Sequence, residues 1–233
     1  MKLFLIKFVI IFLLAFNWPA ELLTKELKAV YKVELGSFNI GNLKWIIKLE
    51  DDNYTMSIFL KDKGFISGLY KFTGEYHSEG KIFKNEFISS KYKQSWKTKK
   101  KTRVIEIIFD KTMVSVLTMS PKEKEAPRKK YLKVSGLTDP LSSFLNILTK
   151  GTNNLNTIDG RRLYKMSIDF EKNEGNFVLK QIIITDYINI WANHKRNDLK
   201  FISTIQDLSK KDDFLPNVIK IKNKRLIFKL TRI

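Results

Sequence analysis

Two short motifs contain the carboxylates and arginines of this sequence that are best suited to chemistry. They are Asp139-Pro140-Leu141-Ser142-Ser143 and Asp159-Gly160-Arg161-Arg162. A carboxylate close to hydroxyl groups suits acid–base chemistry, and the planar guanidinium of arginine suits a carboxylate or a phosphate. The candidate binding residues are therefore Asp139, Ser142, Asp159, Arg161 and Arg162.

Both motifs also have a structural interpretation. Asp139 can cap a helix, because its side chain can accept hydrogen bonds from the first backbone N–H groups and Pro140 suits the first helical position. The Asp159-Gly160 pair is typical of a tight turn. It leaves the two arginines unexplained, and they contact either an external anion or a carboxylate of the protein itself.

Signatures of catalytic and cofactor sites are missing from the sequence. It has no glycine-rich phosphate loop, no Gly-x-Gly-x-x-Gly and no Gly-x-Ser-x-Gly. With no cysteine and with His77 and His194 as its two histidines, it offers too few ligands for a typical zinc site. We expect no metal, no cofactor and no catalysis. The alternative is a hydrolase of the cell envelope with a site near Asp139, Asp159 and Arg161.

The N-terminus has the pattern of an export signal. Lys2 and Lys7 precede an apolar run from Phe8 to Phe16, which is shorter than the about 20 residues that a membrane-spanning helix needs. Trp18-Pro19-Ala20 is not a typical cleavage site, which leaves open an inner-membrane anchor formed by residues 3–18. We predict a signal peptide or uncleaved anchor at residues 1–20 and a single periplasmic β-rich domain at residues 21–233.

The formal net charge of +19 invites a nucleic-acid interpretation. However, 36 of the 43 basic residues are lysine, which is typical of an AT-rich genome, and many lysines alternate with apolar residues along predicted strands. An export signal also argues against nucleic acid. We therefore expect no nucleic-acid partner, and membrane contact through the N-terminal segment only if that segment is uncleaved.

Alternation with a period of two residues dominates the rest of the chain. Tyr54, Met56, Ile58 and Leu60 fall on one face of an extended segment, which indicates a half-buried antiparallel strand. Similar runs recur, with turn signals at Asp159-Gly160, Glu174-Gly175 and Asn223-Lys224 between several of them. The fold class predicted is mainly β, as a single curved antiparallel sheet or an incomplete barrel.

One short helix is predicted at about residues 140–149. Its apolar stripe consists of Leu141, Phe144, Leu145 and Leu148, and Gly151 can end it in a left-handed conformation. A helix of this length is marginal alone in water. We therefore expect it to dock on the sheet or to plug one end of it.

Several motifs together resemble a known family. They are Tyr31 with Gly36 and Gly41, the segment 63–70, the two motifs that begin at Asp139 and Asp159, and Leu215-Pro216 before a final hairpin that ends at Ile233. The sequence is similar to the bacterial exported proteins grouped as domain of unknown function 3108, over about residues 30–233. The resemblance implies a periplasmic β-rich domain, with a curved sheet or an incomplete barrel, and brings no established activity.

The expected function is that of a binding or scaffold domain. A curled sheet with aromatic inner positions makes a concave apolar pocket, which suits a lipid or another amphiphilic ligand of the envelope. The alternatives are the envelope hydrolase described above and a surface for a protein partner in envelope assembly. An enzyme requires polar side chains that converge in a cleft, and a partner surface requires an exposed apolar patch.

Overall fold

A computed structural model describes residues 24–63, 71–192, 199–210 and 213–233. The predicted leader at residues 1–20, most of the motif at residues 63–70, and His194 lie outside the described residues. Fourteen strands form one sheet. In chain order they are β1 (Thr24–Leu35), β2 (Phe38–Glu50), β3 (Asn53–Asp62), β4 (Phe72–Phe83), β5 (Glu86–Thr98), β6 (Thr102–Asp110), β7 (Met113–Ser120), β8 (Leu137–Thr138), β9 (Leu155–Ile158), β10 (Arg162–Glu174), β11 (Phe177–Asn189), β12 (Leu199–Asp207), β13 (Val218–Asn223) and β14 (Leu226–Arg232).

The sheet is an incomplete barrel made of two meanders. Strands β1 to β7 follow one another from the centre to one edge, and β14 to β8 run to the other edge, with β1 paired to β14. All pairings are antiparallel except that of β8 with β9. The two edges meet where the backbone N–H of Leu137 donates to the carbonyl of Thr112 at 2.9 Å. The predicted fold class, mainly β with an incomplete barrel, is confirmed.

Alternating apolar residues place the core inside the barrel. In β1 the buried side chains are those of Leu27, Ala29, Tyr31 and Val33, while the residues between them are more exposed. A strand sends successive side chains to opposite faces, so this period fixes the inner face. Tyr54 and Met56 of β3 are buried in the same way, as the alternation predicts.

Helix α1 (Pro140–Lys150) lies where the sequence predicts it. Asp139 is its N-cap, and Gly151 ends it in the left-handed region with φ of 66°. The helix is buried on more than one face, and it contacts β5 on one side and β9 and β10 on the other. It therefore lies within the barrel, as the expected plug.

The barrel has two different ends, because α1 fills only one half of it. The Asn146 side chain bonds the backbone of Phe87, and the Lys150 ammonium donates to the carbonyl of Lys84. Both partners lie at the end formed by the turns at 51–52, 84–85 and 175–176, here called the closed end. The opposite end, with the turns at 36–37, 99–101 and 224–225, is called the open end.

A 3-10 turn (Tyr131–Lys133) follows the polar excursion at residues 121–130 and leads into β8. Among the described residues, no helix has both the length and the apolar character needed to cross a membrane.

Candidate functional site

Asp139 lies in a buried network of hydroxyl groups at the start of α1. Its side chain has no exposed surface, and its Oδ2 atom accepts hydrogen bonds from the hydroxyls of three serines. These are Ser78 at 2.8 Å, Ser89 at 2.6 Å and Ser142 at 2.6 Å. One carboxylate oxygen thus joins β4, β5 and the first turn of the helix.

The other oxygen of Asp139 caps the helix. Oδ1 accepts from the backbone N–H groups of Leu141 at 2.8 Å and Ser142 at 3.1 Å. The Tyr54 hydroxyl lies 2.6 Å from the Ser142 hydroxyl, and burial, followed by the charge of Asp139, raises the pKa of the Tyr54 phenol. Every oxygen of Asp139 therefore has partners within the protein, and no part of it reaches solvent.

The Asp159 motif forms a hydrogen-bonded turn between β9 and β10. Asp159 Oδ1 accepts from the backbone N–H groups of Arg161 at 2.9 Å and Arg162 at 2.8 Å. Gly160 has φ of +86°, and its carbonyl accepts from the indole N–H of Trp191 at 3.0 Å. The predicted turn is therefore present, and an aromatic side chain holds it in place.

The two arginines of this motif have different partners. The guanidinium of Arg161 pairs with Glu123 of the polar excursion. That of Arg162 donates to Asp159 Oδ2 at 3.2 Å and lies 5.8 Å from the centre of the Tyr187 ring. Both side chains thus contact carboxylates of the protein itself, which is one of the two possibilities that the sequence leaves open. Their role in binding an external ligand stays a prediction.

The structure does not combine the five candidate residues into one cleft. Asp139 and Ser142 are fully buried at the start of α1, whereas Arg161 and Arg162 are half-buried in the β9–β10 turn. No hydrogen bond described in the chain joins Asp139 to Asp159. Between the two groups, the Ser143 hydroxyl lies 2.7 Å from the hydroxyl of Thr157 in β9.

An apolar cavity of about 190 Å³ occupies the half of the barrel that α1 leaves free. Pro140, Leu141 and Phe144 of the first helical turns form its floor. Side chains from six strands form its wall, among them Trp45, Ile58, Met166, Ile202, Ile219 and Ile221. Sequence reasoning named none of these wall residues as site residues, because each alone is an ordinary inward apolar position.

The exposure of the lining residues shows the direction in which the cavity opens. Along β2, Leu43 is half-buried and Trp45 is buried, and along β13, Ile221 is half-buried and Ile219 is buried. In both strands the more exposed residue is the one nearer the open end. The mouth of the cavity therefore faces the open end, and its deep part lies against the helix.

Trp45 combines two features at the deep part of the cavity. Its ring packs on Phe144 of the helix, with centroids 5.8 Å apart and planes 19° apart. Its indole Nε1 is buried and has no hydrogen-bond partner among the described residues. A buried donor without a partner is costly, since most buried polar atoms in proteins are satisfied. The Trp45 N–H is thus an unsatisfied donor with no surface open to the cavity.

Comparisons with known proteins identify the family of this chain. A crystal structure of a beta-barrel-like protein of domain of unknown function DUF1849 from Brucella abortus aligns with a TM-score of 0.47 and 9% identity, over 88% of this chain and 95% of that chain. No curated protein matches the chain. Residues 30–175 match the model of a family described as protein of unknown function (DUF3108), which is more than half of the 233 residues. The match includes the Asp139 and Asp159 motifs but ends before Leu215-Pro216. The chain therefore belongs to the DUF3108 family.

Proposed function

We propose that this protein is a non-catalytic binding domain of the bacterial envelope that holds the apolar part of an amphiphilic ligand inside its barrel. The observation that supports this function most directly is the apolar cavity between the open end and α1. Ligand pockets of this kind are concave and mostly apolar, with a few polar groups that orient the ligand.

The size of the cavity limits the ligand. Pockets for drug-sized molecules have volumes of about 300–1,000 Å³, and this cavity has about 190 Å³. It therefore suits a single acyl chain or a small apolar ring rather than a branched or polycyclic body. The rest of the ligand extends through the mouth towards solvent.

Trp45 makes the deep part of the cavity apolar. Its ring lines the cavity, whereas its Nε1 atom is buried and has no surface open to it. The apolar part of the proposed ligand therefore lies against the Trp45 ring, and its polar part lies at the mouth.

The environment of Asp139 favours binding over hydrolysis. A catalytic carboxylate must lie within hydrogen-bond reach of its substrate. Asp139 and Ser142 have no exposed surface, and their hydrogen bonds go to Ser78, Ser89 and Tyr54. Hence the network holds α1 in place and so shapes the floor of the cavity.

The place of action is part of the proposal. Residues 1–20 have the charge and apolar pattern of an export signal, and the chain has no cysteine that could carry a lipid anchor. We propose that the protein works in the periplasm, where lipids and lipid precursors are amphiphiles of the required type.

The proposal is tested by titration with cis-parinaric acid, a fluorescent fatty acid. In Ile221→Trp the larger ring fills the mouth from the inner face of β13, and we expect binding to weaken at least about tenfold. Ile227→Trp is the matched control, since Ile227 lies in the paired strand of the same hairpin and is 48% exposed. Equal affinities of the two variants would place the ligand outside the cavity and overturn the proposal.

Native mass spectrometry of the protein purified from its own envelope, followed by lipid extraction, identifies the natural ligand.

A further inference from the structure

The two ends of the barrel differ in charge. At the open end, the turns and adjoining strand ends carry a dense group of basic side chains and fewer acidic ones, among them Glu34, Asp62, Glu123 and Asp159. The basic side chains are Lys61, Lys63, Lys71, Lys97, Lys99, Lys100, Lys101, Arg103, Lys222, Lys224 and Arg225. At the closed end, acidic residues interrupt the lysines, namely Glu50, Asp51, Asp52, Glu86, Asp110, Glu174 and Asp207. The open end, where the mouth of the cavity lies, therefore carries an excess of basic side chains.

Part of the open end forms a groove of anion-binding character. Its volume is about 510 Å³, and its lining has four lysines, Lys61, Lys71, Lys97 and Lys99, and one carboxylate, Asp62, from the adjoining ends of β3, β4 and β5. Phe72 lies in the groove and stacks on Trp96, with ring centroids 5.5 Å apart. Lysines around an aromatic floor match the phosphate and glycerol region of an anionic lipid.

Exposed apolar residues lie at the tips of two hairpins at the open end. Phe38 follows the β1–β2 turn and is 67% exposed, and Leu226 follows the β13–β14 turn and is 49% exposed. The tips are neighbours in the sheet, since β1 pairs with β14 and Leu35 is opposite Phe228. Lys224 and Arg225 stand beside Leu226. Apolar side chains with basic neighbours suit a membrane surface. The closed end has a comparable tip in Phe83 and Lys84, so the basic groove is what distinguishes the open end.

We infer that the open end of the barrel is a docking surface for an anionic phospholipid bilayer, with the mouth of the cavity held against the headgroups. The basic groove contacts the headgroups, and the tips at Phe38 and Leu226 enter the interface. This surface goes beyond the proposed ligand cavity and does not depend on it. Nucleic acid also attracts lysines, but exposed apolar tips have no use at a phosphate backbone, so the observations favour the bilayer.

The orientation is tested with labels, because the chain has no native cysteine. Ser37→Cys places an environment-sensitive nitrobenzoxadiazole dye at the open end, and Asn53→Cys places it at the closed end. The full chain is mixed with vesicles of phosphatidylcholine alone or of an equal mixture with phosphatidylglycerol. We expect a rise in emission from the Ser37 label alone, and only with phosphatidylglycerol. A response of the Asn53 label instead would mean binding through the N-terminal segment, since Thr24 begins β1 at the closed end, and would overturn the docking surface.

Matched charge variants separate this surface from general attraction by a basic protein. Lys61, Lys71, Lys97 and Lys101 are changed together to Gln, and the control changes Lys48, Lys81, Lys111 and Lys210, which lie towards the closed end. Each lysine near an anionic surface contributes about fivefold to affinity, so we expect at least a tenfold loss of co-sedimentation affinity in the first variant. Equal losses in the two variants would show attraction by net charge alone and overturn the inference.

The apolar tips and the cavity are tested separately in the same assay. Phe38→Ser should weaken binding to phosphatidylglycerol vesicles severalfold, whereas Phe83→Ser, at a closed-end tip that is 60% exposed, should not. Ile221→Trp should dock normally even though its cavity is filled, which distinguishes failure of the docking surface from failure of the ligand site.

A short DNA duplex that binds the open end more tightly than the vesicles at equal ionic strength would assign the surface to nucleic acid and overturn the inference.

Discussion

Tyr54 and Ser142 are 88 residues apart in the chain, and their hydroxyl oxygens lie 2.6 Å apart in the core of the barrel. Tyr54 belongs to β3 and Ser142 to the first turn of α1, so this contact joins the helix to the wall. Asp139 accepts from the same serine and from the two serines of β4 and β5. The position of the helix, and with it the floor of the cavity, depends on this group.

Asp139→Ala should therefore be strongly destabilising. It removes the N-cap, which is worth about 1 kcal/mol, and leaves buried hydroxyl donors unpaired, at about 1–3 kcal/mol. We expect the free energy of unfolding to fall by about 3 kcal/mol in a urea titration followed by circular dichroism. Asp110→Ala, at the exposed last residue of β6, should stay within about 0.5 kcal/mol of the unchanged protein. Similar small losses in both variants would contradict the structural role of Asp139.

Gly160 should be far less replaceable than Gly175, although both have positive φ. A Cβ at Gly160 would overlap Ile105 Cγ2 and lie 3.2 Å from Leu117 Cδ1, whereas one at Gly175 meets nothing within 4 Å. Both alanine variants incur about 1 kcal/mol of backbone strain, and crowding at Gly160 adds about 1–3 kcal/mol. Thermal unfolding should rank Gly160→Ala clearly below Gly175→Ala. Equal losses would mean that the β9–β10 turn does not pack on β6 and β7 as described.

Arg161→Ala and Arg162→Ala should affect different parts of the protein. Arg161 ties the excursion at residues 121–130 to the β9–β10 turn through Glu123, so its removal should speed tryptic cleavage after Lys122, Lys124 or Arg128 severalfold. Arg162 contacts Asp159 within the turn, so its removal should leave cleavage of the excursion unchanged. Mass spectrometry of a timed digest locates the cuts. Identical digests of the two variants would remove the distinction between the arginines.

The helix and many strands are predictable because their signals are local. Asp139, Pro140 and Gly151 mark the limits of α1 by cap chemistry alone. The alternation in β3 and the turn at Glu174-Gly175 are equally local. The sequence therefore predicts the class of fold and the position of the plug.

Strand β5 shows why other parts are not predictable. Its inner face presents Ser89 to Asp139, and the register of β4 and β5 shifts between Glu79 and Gly80. A polar inner residue and a bulge both break the period of two on which the prediction depends. The hydrogen-bond network of Asp139 therefore requires a polar residue on the inner face of β5, and that residue obscures the strand pattern in the sequence.

The burial of Lys180 is also not predictable from the local sequence. Lysines on strands normally point to water, but Lys180 of β11 is 6% exposed. Its ammonium donates to the carbonyl of Ile147 at 3.2 Å, near the C-terminal end of α1, where a positive charge is favourable. The carbonyl that it caps is 33 residues away, so no local pattern indicates the contact. The cavity is missed for a similar reason, since its wall combines six strands that are distant in the chain.

Tyrosines packed in the core, two buried and Tyr76 half-buried, should make the protein sensitive to alkali. Burial, followed by the negative charge of Asp159, raises the pKa of Tyr76 to about 12, and burial also raises the pKa values of Tyr92 and Tyr164. The folded state then holds these protons more tightly than the unfolded state, whose tyrosines titrate near pH 10. Stability is therefore complete below about pH 10 and falls as the pH rises from about 10 towards 12.

Tyr76→Phe isolates one of these groups. Because phenylalanine has no proton to lose, the variant should lose about 1.4 kcal/mol less than the unchanged protein between pH 9 and pH 11. Urea titrations at the two pH values measure the difference. Both proteins contain the same lysines, so the titration of lysine affects both free energies of unfolding equally. Equal alkaline losses would show that Tyr76 ionises as easily in the folded barrel as in the unfolded chain, and that water reaches the Tyr76 hydroxyl.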